Sequence, residues 1–150
     1  MVLNFGVNFS RDVLFRRRNR TWSGSGVIFQ PEDSVKEVRY SFNTIRIMEN
    51  LTSVSSNVNL PDGATITGAI VFGTASAETV TWELSKNRLT DAGGFVIATN
   101  TINSGDNTVS GVRSVVDTEN FTIGFEIFNL NESERIFGAK IFYTLEAEDI

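Results

Sequence analysis

The sequence has no cysteine and no histidine, and only two prolines among its 150 residues. Disulfides, thiolate nucleophiles, zinc or haem sites built on these residues, and the Ser-His-Asp arrangement of hydrolases are therefore excluded. No stretch approaches the roughly 20 apolar residues of a membrane span, and the alternating start predicts no signal peptide. Carboxylate, lysine, tyrosine and hydroxyl chemistry remains, and a bound metal would need oxygen ligands.

Length and composition suit one folded domain. With 41% hydrophobic and 21% charged residues, the chain is too apolar for disorder and too evenly mixed for a membrane protein. A chain of this length buries roughly 68% of its unfolded surface, which is enough for one hydrophobic core. We expect a single soluble domain.

Charge is distributed unevenly along the chain. Residues 1–50 carry eight Lys/Arg and five Asp/Glu (+3), whereas residues 51–150 carry five and thirteen (−8). The basic excess comes from five arginines: Arg11, Arg16, Arg17, Arg18 and Arg20. The acidic end closes with Glu146, Glu148 and Asp149. Guanidinium groups bind carboxylates or phosphates, and a basic segment before an acidic body favours contacts between copies of the chain over nucleic acid. A solvated loop without a partner is the third alternative.

Alternation of apolar and polar residues dominates the sequence, and no helical stripe is found. Residues 2–9 predict a half-buried strand, and residues 10–21 a basic arm or long loop. In the first half, further strands are predicted at residues 27–29, 36–48 and 52–59, with a bulge or bend near 43–44 and Phe42 facing inward. In the second half they are predicted at residues 64–73, 77–84, 94–102, 107–116, 120–128 and 134–145.

These elements predict an all-β fold: an antiparallel β-sandwich or jelly roll of about eight to ten strands. We divide the chain into an N-terminal strand and basic arm, residues 1–21, and one sandwich domain, residues 22–150. The only helix expected is a single turn near residues 33–37.

Several apolar residues have the wrong strand parity for the core. Phe128, Ile136 and Phe142 lie opposite the predicted inward sets of their strands. Either another layer of the same domain covers them, or they join the five arginines in an interface between subunits. Trp82 shares parity with core residues, whereas Trp22, beside a Ser-Gly stretch, is freer and is a candidate glycan contact.

Carboxylates were considered as catalytic pairs and as metal ligands. Glu83 and Glu126 have outward parity, which is ordinarily a solvated face, and the loop aspartates lack a dense Asp-x-Asp spacing. We predict no catalytic residue, no cofactor and no metal.

The run VNLPDGATITGAIVFG at 58–73, with TVTWEL at 79–84 and the final strands of 116–145, resembles a small β-sandwich domain of bacterial surface and phage-related sequences. The shared features are turns and strands, so the resemblance implies a fold, and it covers about residues 22–146. It implies no catalytic residue.

These observations favour a non-enzymatic structural protein of a virus or phage particle, a capsid or capsid-decoration subunit located in the virion. Its partners would be copies of itself, as a trimer by analogy, and other shell proteins. The alternative is a carbohydrate- or receptor-binding sandwich of a cell surface or tail fibre, with Trp22 in contact with the glycan. A glycosidase is disfavoured because strand parity supplies no acid pair across a cleft.

Overall fold

A computed structural model describes residues 15–91 and 93–148. Within these residues the chain forms ten strands and three short 3₁₀ turns, with no α-helix. The strands are β1 Phe15–Ser25, β2 Gln30–Pro31, β3 Val38–Ser41, β4 Thr44–Ile47, β5 Thr52–Val58, β6 Thr65–Gly73, β7 Thr81–Arg88, β8 Gly94–Thr101, β9 Phe121–Leu130 and β10 Arg135–Glu148. The 3₁₀ turns are Gly26–Ile28, Ala75–Ala77 and Val112–Ser114.

The strands form two antiparallel sheets that pack face to face. Sheet A holds β1, β10, β4 and β3 in that order, with β6 paired to the other edge of β10. Sheet B has the order β2-β5-β9-β7-β8. The predicted all-β antiparallel sandwich is therefore confirmed.

An aromatic cluster occupies the space between the sheets. The Phe125 ring of β9 lies 6.2 Å from the rings of Phe29 and Trp22 and 6.0 Å from the ring of Trp82. Trp82 is fully buried, and its indole N–H donates to the Thr101 carbonyl at 2.9 Å. The prediction that Trp82 is a core residue is confirmed.

The basic segment differs from the predicted loop. Residues 15–21 form the first part of β1, which pairs with the end of β10, so that Phe15 lies opposite Glu148 and Arg17 opposite Glu146. The predicted boundary at residue 21 falls inside this strand. The basic segment of β1 thus pairs with the acidic end of β10 in the same chain. The predicted strand at residues 2–9 lies outside the described residues.

The register shift in β10 corrects the predicted parity of its first residues. The shift lies between Ile136 and Gly138 in the pairing with β6, so the residues before it change face. Ile136 is fully buried in the core, while Phe137, predicted inward, is 46% exposed. The prediction that Ile136 lies opposite the core-facing set of its strand is therefore wrong.

Residues 36–48 form a hairpin instead of one bent strand. Ser41 pairs with Thr44, and the two turn residues between them have positive φ angles, 49° at Phe42 and 64° at Asn43. Such φ angles are those of a tight two-residue hairpin turn. Phe42, predicted to face inward, is 98% exposed at the tip.

Three other predicted elements also differ. Residues 26–28 form a 3₁₀ turn where a strand at 27–29 was expected. Residues 107–116 contain one isolated bridge, at Val115, and a 3₁₀ turn but no continuous strand. Residues 33–37 form a turn without a helix.

In residues 15–91 and 93–148, no helix is long and apolar enough to cross a membrane.

Gly26 provides a test of the packing between β1, β4 and β10. A β-carbon at this position would overlap the Ile136 carbonyl oxygen and lie 2.8 Å from the Ile45 amide nitrogen. Because both neighbours are backbone atoms, we expect Gly26→Ala to lower the free energy of unfolding by about 2 to 3 kcal/mol in urea denaturation.

The matched control is Gly105→Ala, whose added β-carbon would make an ordinary contact, 3.4 Å from the nearest atom. We expect this control to change stability by less than about 0.5 kcal/mol. Equal stability of the two variants would contradict the close approach at Gly26.

Candidate functional site

A polar groove of about 590 Å³ runs across sheet B. Alternation along the strands places its principal side chains on the outer face, opposite the buried residues. The residues that line it come from β2 and its flanks, β5, β7 and β9: Ile28, Gln30, Pro31, Glu32, Ser55, Ser56, Asn57, Ser85, Asn87, Gly124, Phe125 and Glu126.

The groove exists because small side chains occupy the middle of this face. Asn57 of β5 lies opposite Gly124 of β9, and Gly124 lies opposite Ser85 of β7. A β-carbon on Gly124 would lie 2.6 Å from the Ser56 carbonyl oxygen, so the backbone of β5 requires glycine here. With bulkier residues in this row, the sheet would have no depression.

The amide and hydroxyl groups of the groove are available to a ligand. Within the described part of the chain, no internal side-chain hydrogen bond is formed by Gln30, Ser55, Asn57, Ser85 or Asn87. Amides and hydroxyls both donate and accept hydrogen bonds, so the groove can match a ligand that does the same.

Two carboxyl groups meet in the groove. Glu32 follows β2, and its side chain is hydrogen-bonded to that of Glu126 on β9. The strand between them, β5, presents Ser53 and Ser55 on this face, which are short enough for the two carboxyls to meet. Two carboxyls joined by a hydrogen bond hold a proton between them.

The acid pair changes the titration of Glu126. The hydrogen bond that Glu126 donates to Glu32, partial burial and the repulsion of the second carboxylate together raise the pKa of Glu126 to about 7. Glu83 of β7 lies opposite Glu126 in the sheet register. No lysine or arginine is among the residues that line the groove, so its charged groups are all acidic.

The described residues contain no group of three or more His, Cys, Asp or Glu side chains that could hold a metal ion.

A second, smaller cavity of about 260 Å³ lies where β5 and β9 approach residues 116–118. Asn57 lines both cavities. The lining of this second cavity is mostly apolar, with Val58, Leu60, Val116, Phe121 and Ile123.

The predicted arginine cluster lies away from the groove. Arg18 and Arg20 are exposed on β1 of sheet A. Arg16 and Arg17 belong to the same strand, and Arg11 lies outside the described residues. A subunit contact through these arginines stays a prediction.

The predicted apolar interface residues do not form one surface. Phe128 is half-buried on the outer face of sheet B, Phe142 is 40% exposed on the outer face of sheet A, and Ile136 lies in the core between them. The two sheets separate Phe128 from Phe142, so one flat contact cannot cover both.

Trp22, the predicted glycan contact, points between the sheets. Its ring is half-buried against Phe125 and is not among the groove residues.

The sequence pattern identified the outward parity of Glu126 but not the acid pair, because Glu32 and Glu126 are far apart in sequence. The pairing of β2 with β5 and of β5 with β9 brings them together.

Some solved structures are similar to this chain at low sequence identity. No protein-family profile and no curated protein matches the sequence. One similar structure is the C-terminal CBM6 of LamC, a marine laminarinase from Zobellia galactanivorans, with a TM-score of 0.44 and 12% identity over 81% of this chain and 98% of that one. A second is a low-affinity xylan-binding module, CBM86, from Roseburia intestinalis, with a TM-score of 0.45 and 6% identity over 84% and 96% of the two chains.

A viral structure is also similar, at a lower level. The infectious bursal disease virus Gx strain gives a TM-score of 0.32 and 13% identity over 87% of this chain and 32% of that one. These likenesses concern the fold alone. None of these structures bears out the resemblance based on the LPDGATIT turn at 60–67.

The acid pair predicts a pH dependence of stability. The folded chain holds the shared proton up to about pH 7, whereas an unfolded glutamate loses it near pH 4.3. The folded state therefore binds more protons in this interval, and its stability falls as the pH rises through 7. We expect the Tm of the wild type to decrease from pH 5 to pH 8 relative to Glu126→Gln.

Glu146→Gln, a glutamate on sheet A outside the groove, is the matched control and should keep the wild-type pH dependence. Parallel Tm curves for the wild type and Glu126→Gln over this pH range would show that no proton is shared.

Proposed function

We propose that the chain is a non-catalytic carbohydrate-binding domain whose glycan lies in the groove of sheet B. The observation that carries the proposal is a row of unengaged amide and hydroxyl side chains over a floor of small residues. Each sugar hydroxyl donates and accepts hydrogen bonds, as these side chains do. The groove volume is within the range of ligand sites, about 300 to 1,000 Å³.

A binding role suits the acid pair better than a catalytic one. Glycosidases need two carboxyls about 5 Å or more apart, with the scissile bond between them. The carboxyls of Glu32 and Glu126 are hydrogen-bonded to each other, which leaves no room for a sugar bond between them. Glycan binding also favours an extracellular or cell-surface location.

The hypothesis of a virus-particle subunit remains a second prediction. Its support is the basic N-terminal arm, the lack of histidine and cysteine, and strands with apolar residues on both faces. Among its described interface residues, Phe128 lies on sheet B, Phe142 on sheet A and Ile136 in the core. The groove, in contrast, is continuous and its polar groups converge. For this reason we favour glycan binding over a role in a virus particle.

A blocking variant tests the site. Ser55 lies on the groove side of β5, and tyrosine at this position would fill the groove while retaining β-propensity. We expect wild-type protein to bind a soluble β-glucan or xylan in isothermal titration calorimetry, and Ser55→Tyr to weaken binding at least about tenfold.

Asn57→Ala and Asn87→Ala should each weaken binding less, because each removes one hydrogen-bonding group. Asn107→Ala, an exposed amide outside the groove, is the matched control and should bind as the wild type does. Absence of binding to every polysaccharide, or full binding by a folded Ser55→Tyr variant, would refute the proposal.

A further inference from the structure

The charged groups of the groove bear on the kind of glycan it selects, and this step rests on the proposed function. Glu32 and Glu126 line the groove, and Glu83 lies beside Glu126 in the register of β7 and β9. The strand between the paired acids contributes serines, and β2 contributes Gln30. No cation balances these acids among the residues that line the groove.

An uncompensated acid pair repels anions and attracts cations. The whole chain carries a net charge of −5, so its field adds to that of the groove. Uronate or sulfated glycans would place like charges beside the pair, at a cost in binding. A cationic glycan would bind with charge complementarity.

The hydrogen bond between the two carboxyls indicates how a cation is held. The two side chains line the same groove and lie within hydrogen-bonding reach of each other. An ammonium group has three donors and no acceptor, and so can donate to both carboxylates at once. Charge-assisted bonds of this type are shorter and stronger than neutral ones. Ser55, opposite Glu126 in the register, places a hydroxyl beside the pair.

We propose that the groove selects glycans that carry free amino groups, with the sugar ammonium bound between the carboxylates of Glu32 and Glu126, which both line it. The exchange balances: one ammonium enters, the proton of Glu126 leaves to the buffer, and the added positive charge offsets the new negative charge on Glu126.

This exchange has a calorimetric signature. At pH 6 Glu126 is protonated, since its pKa is raised to about 7. Binding of an ammonium should therefore release up to about one proton, which appears as a binding enthalpy that varies with the ionisation enthalpy of the buffer. A neutral glycan should release none.

The test compares three β-1,4-linked tetrasaccharides that differ only at carbon 2: glucosamine, N-acetylglucosamine and glucose. With the full chain at pH 6, we expect the glucosamine tetramer to bind about tenfold more tightly than the glucose tetramer. N-acetylglucosamine, which has lost the charge, should bind like glucose.

Variants locate the selectivity. Glu126→Gln and Glu32→Gln should each remove the preference for glucosamine and its proton release, so that the glucosamine tetramer binds no more tightly than the glucose tetramer. Glu146→Gln, on sheet A, should keep both, because it removes the same charge far from the groove.

The outcomes separate this inference from the proposed function. Equal affinity for the three tetramers would overturn the amine selectivity and leave glycan binding intact. No binding of any glycan would overturn both. A preference that survives Glu126→Gln, or stabilisation of the protein by millimolar calcium without amine binding, would show that the pair does not bind an ammonium group.

Discussion

Phe125 of β9 packs between the two sheets, against Trp22 from sheet A and against Phe29 and Trp82. This contact fixes which face of β9 is buried. Because side chains alternate along a strand, burial of Phe125 and Ile127 puts Gly124 and Glu126 on the opposite, outer face. The groove residues of β9 are therefore positioned by the core, and a one-residue slip of this strand would exchange them with apolar residues.

The regular strands were predictable from the sequence. Alternation placed β5, β6, β8 and β9 within a few residues of their observed bounds, and the turn at Pro61–Gly63 separates β5 from β6 as predicted. The errors lie where one extra residue changes the face of a strand. The register shift before Gly138 moved Ile136 into the core, and the positive φ angles of Phe42 and Asn43 made a hairpin tip of a predicted strand interior.

The groove could not be predicted, because it depends on strand order. Its floor combines β2, β5, β9 and β7, which are neighbours in the sheet but widely spaced in the sequence. Each strand contributes serine, asparagine or glutamate side chains, which in the sequence alone are typical of a solvent-exposed face. Only the pairing of β5 with both β2 and β9 brings the carboxyls of Glu32 and Glu126 together. The position of the basic segment could not be predicted for the same reason, because β10, the strand that it pairs with, is far from it in the sequence.

The most direct test of the account is to map a bound glucosamine tetrasaccharide by the backbone amide NMR shifts of the ¹⁵N-labelled protein. The account predicts that the shifts concentrate on the groove, at Ser55, Asn57, Ser85, Gly124 and Glu126. Shifts confined to sheet A, around Arg20 and Phe142, or an unchanged spectrum at saturating sugar, would contradict it.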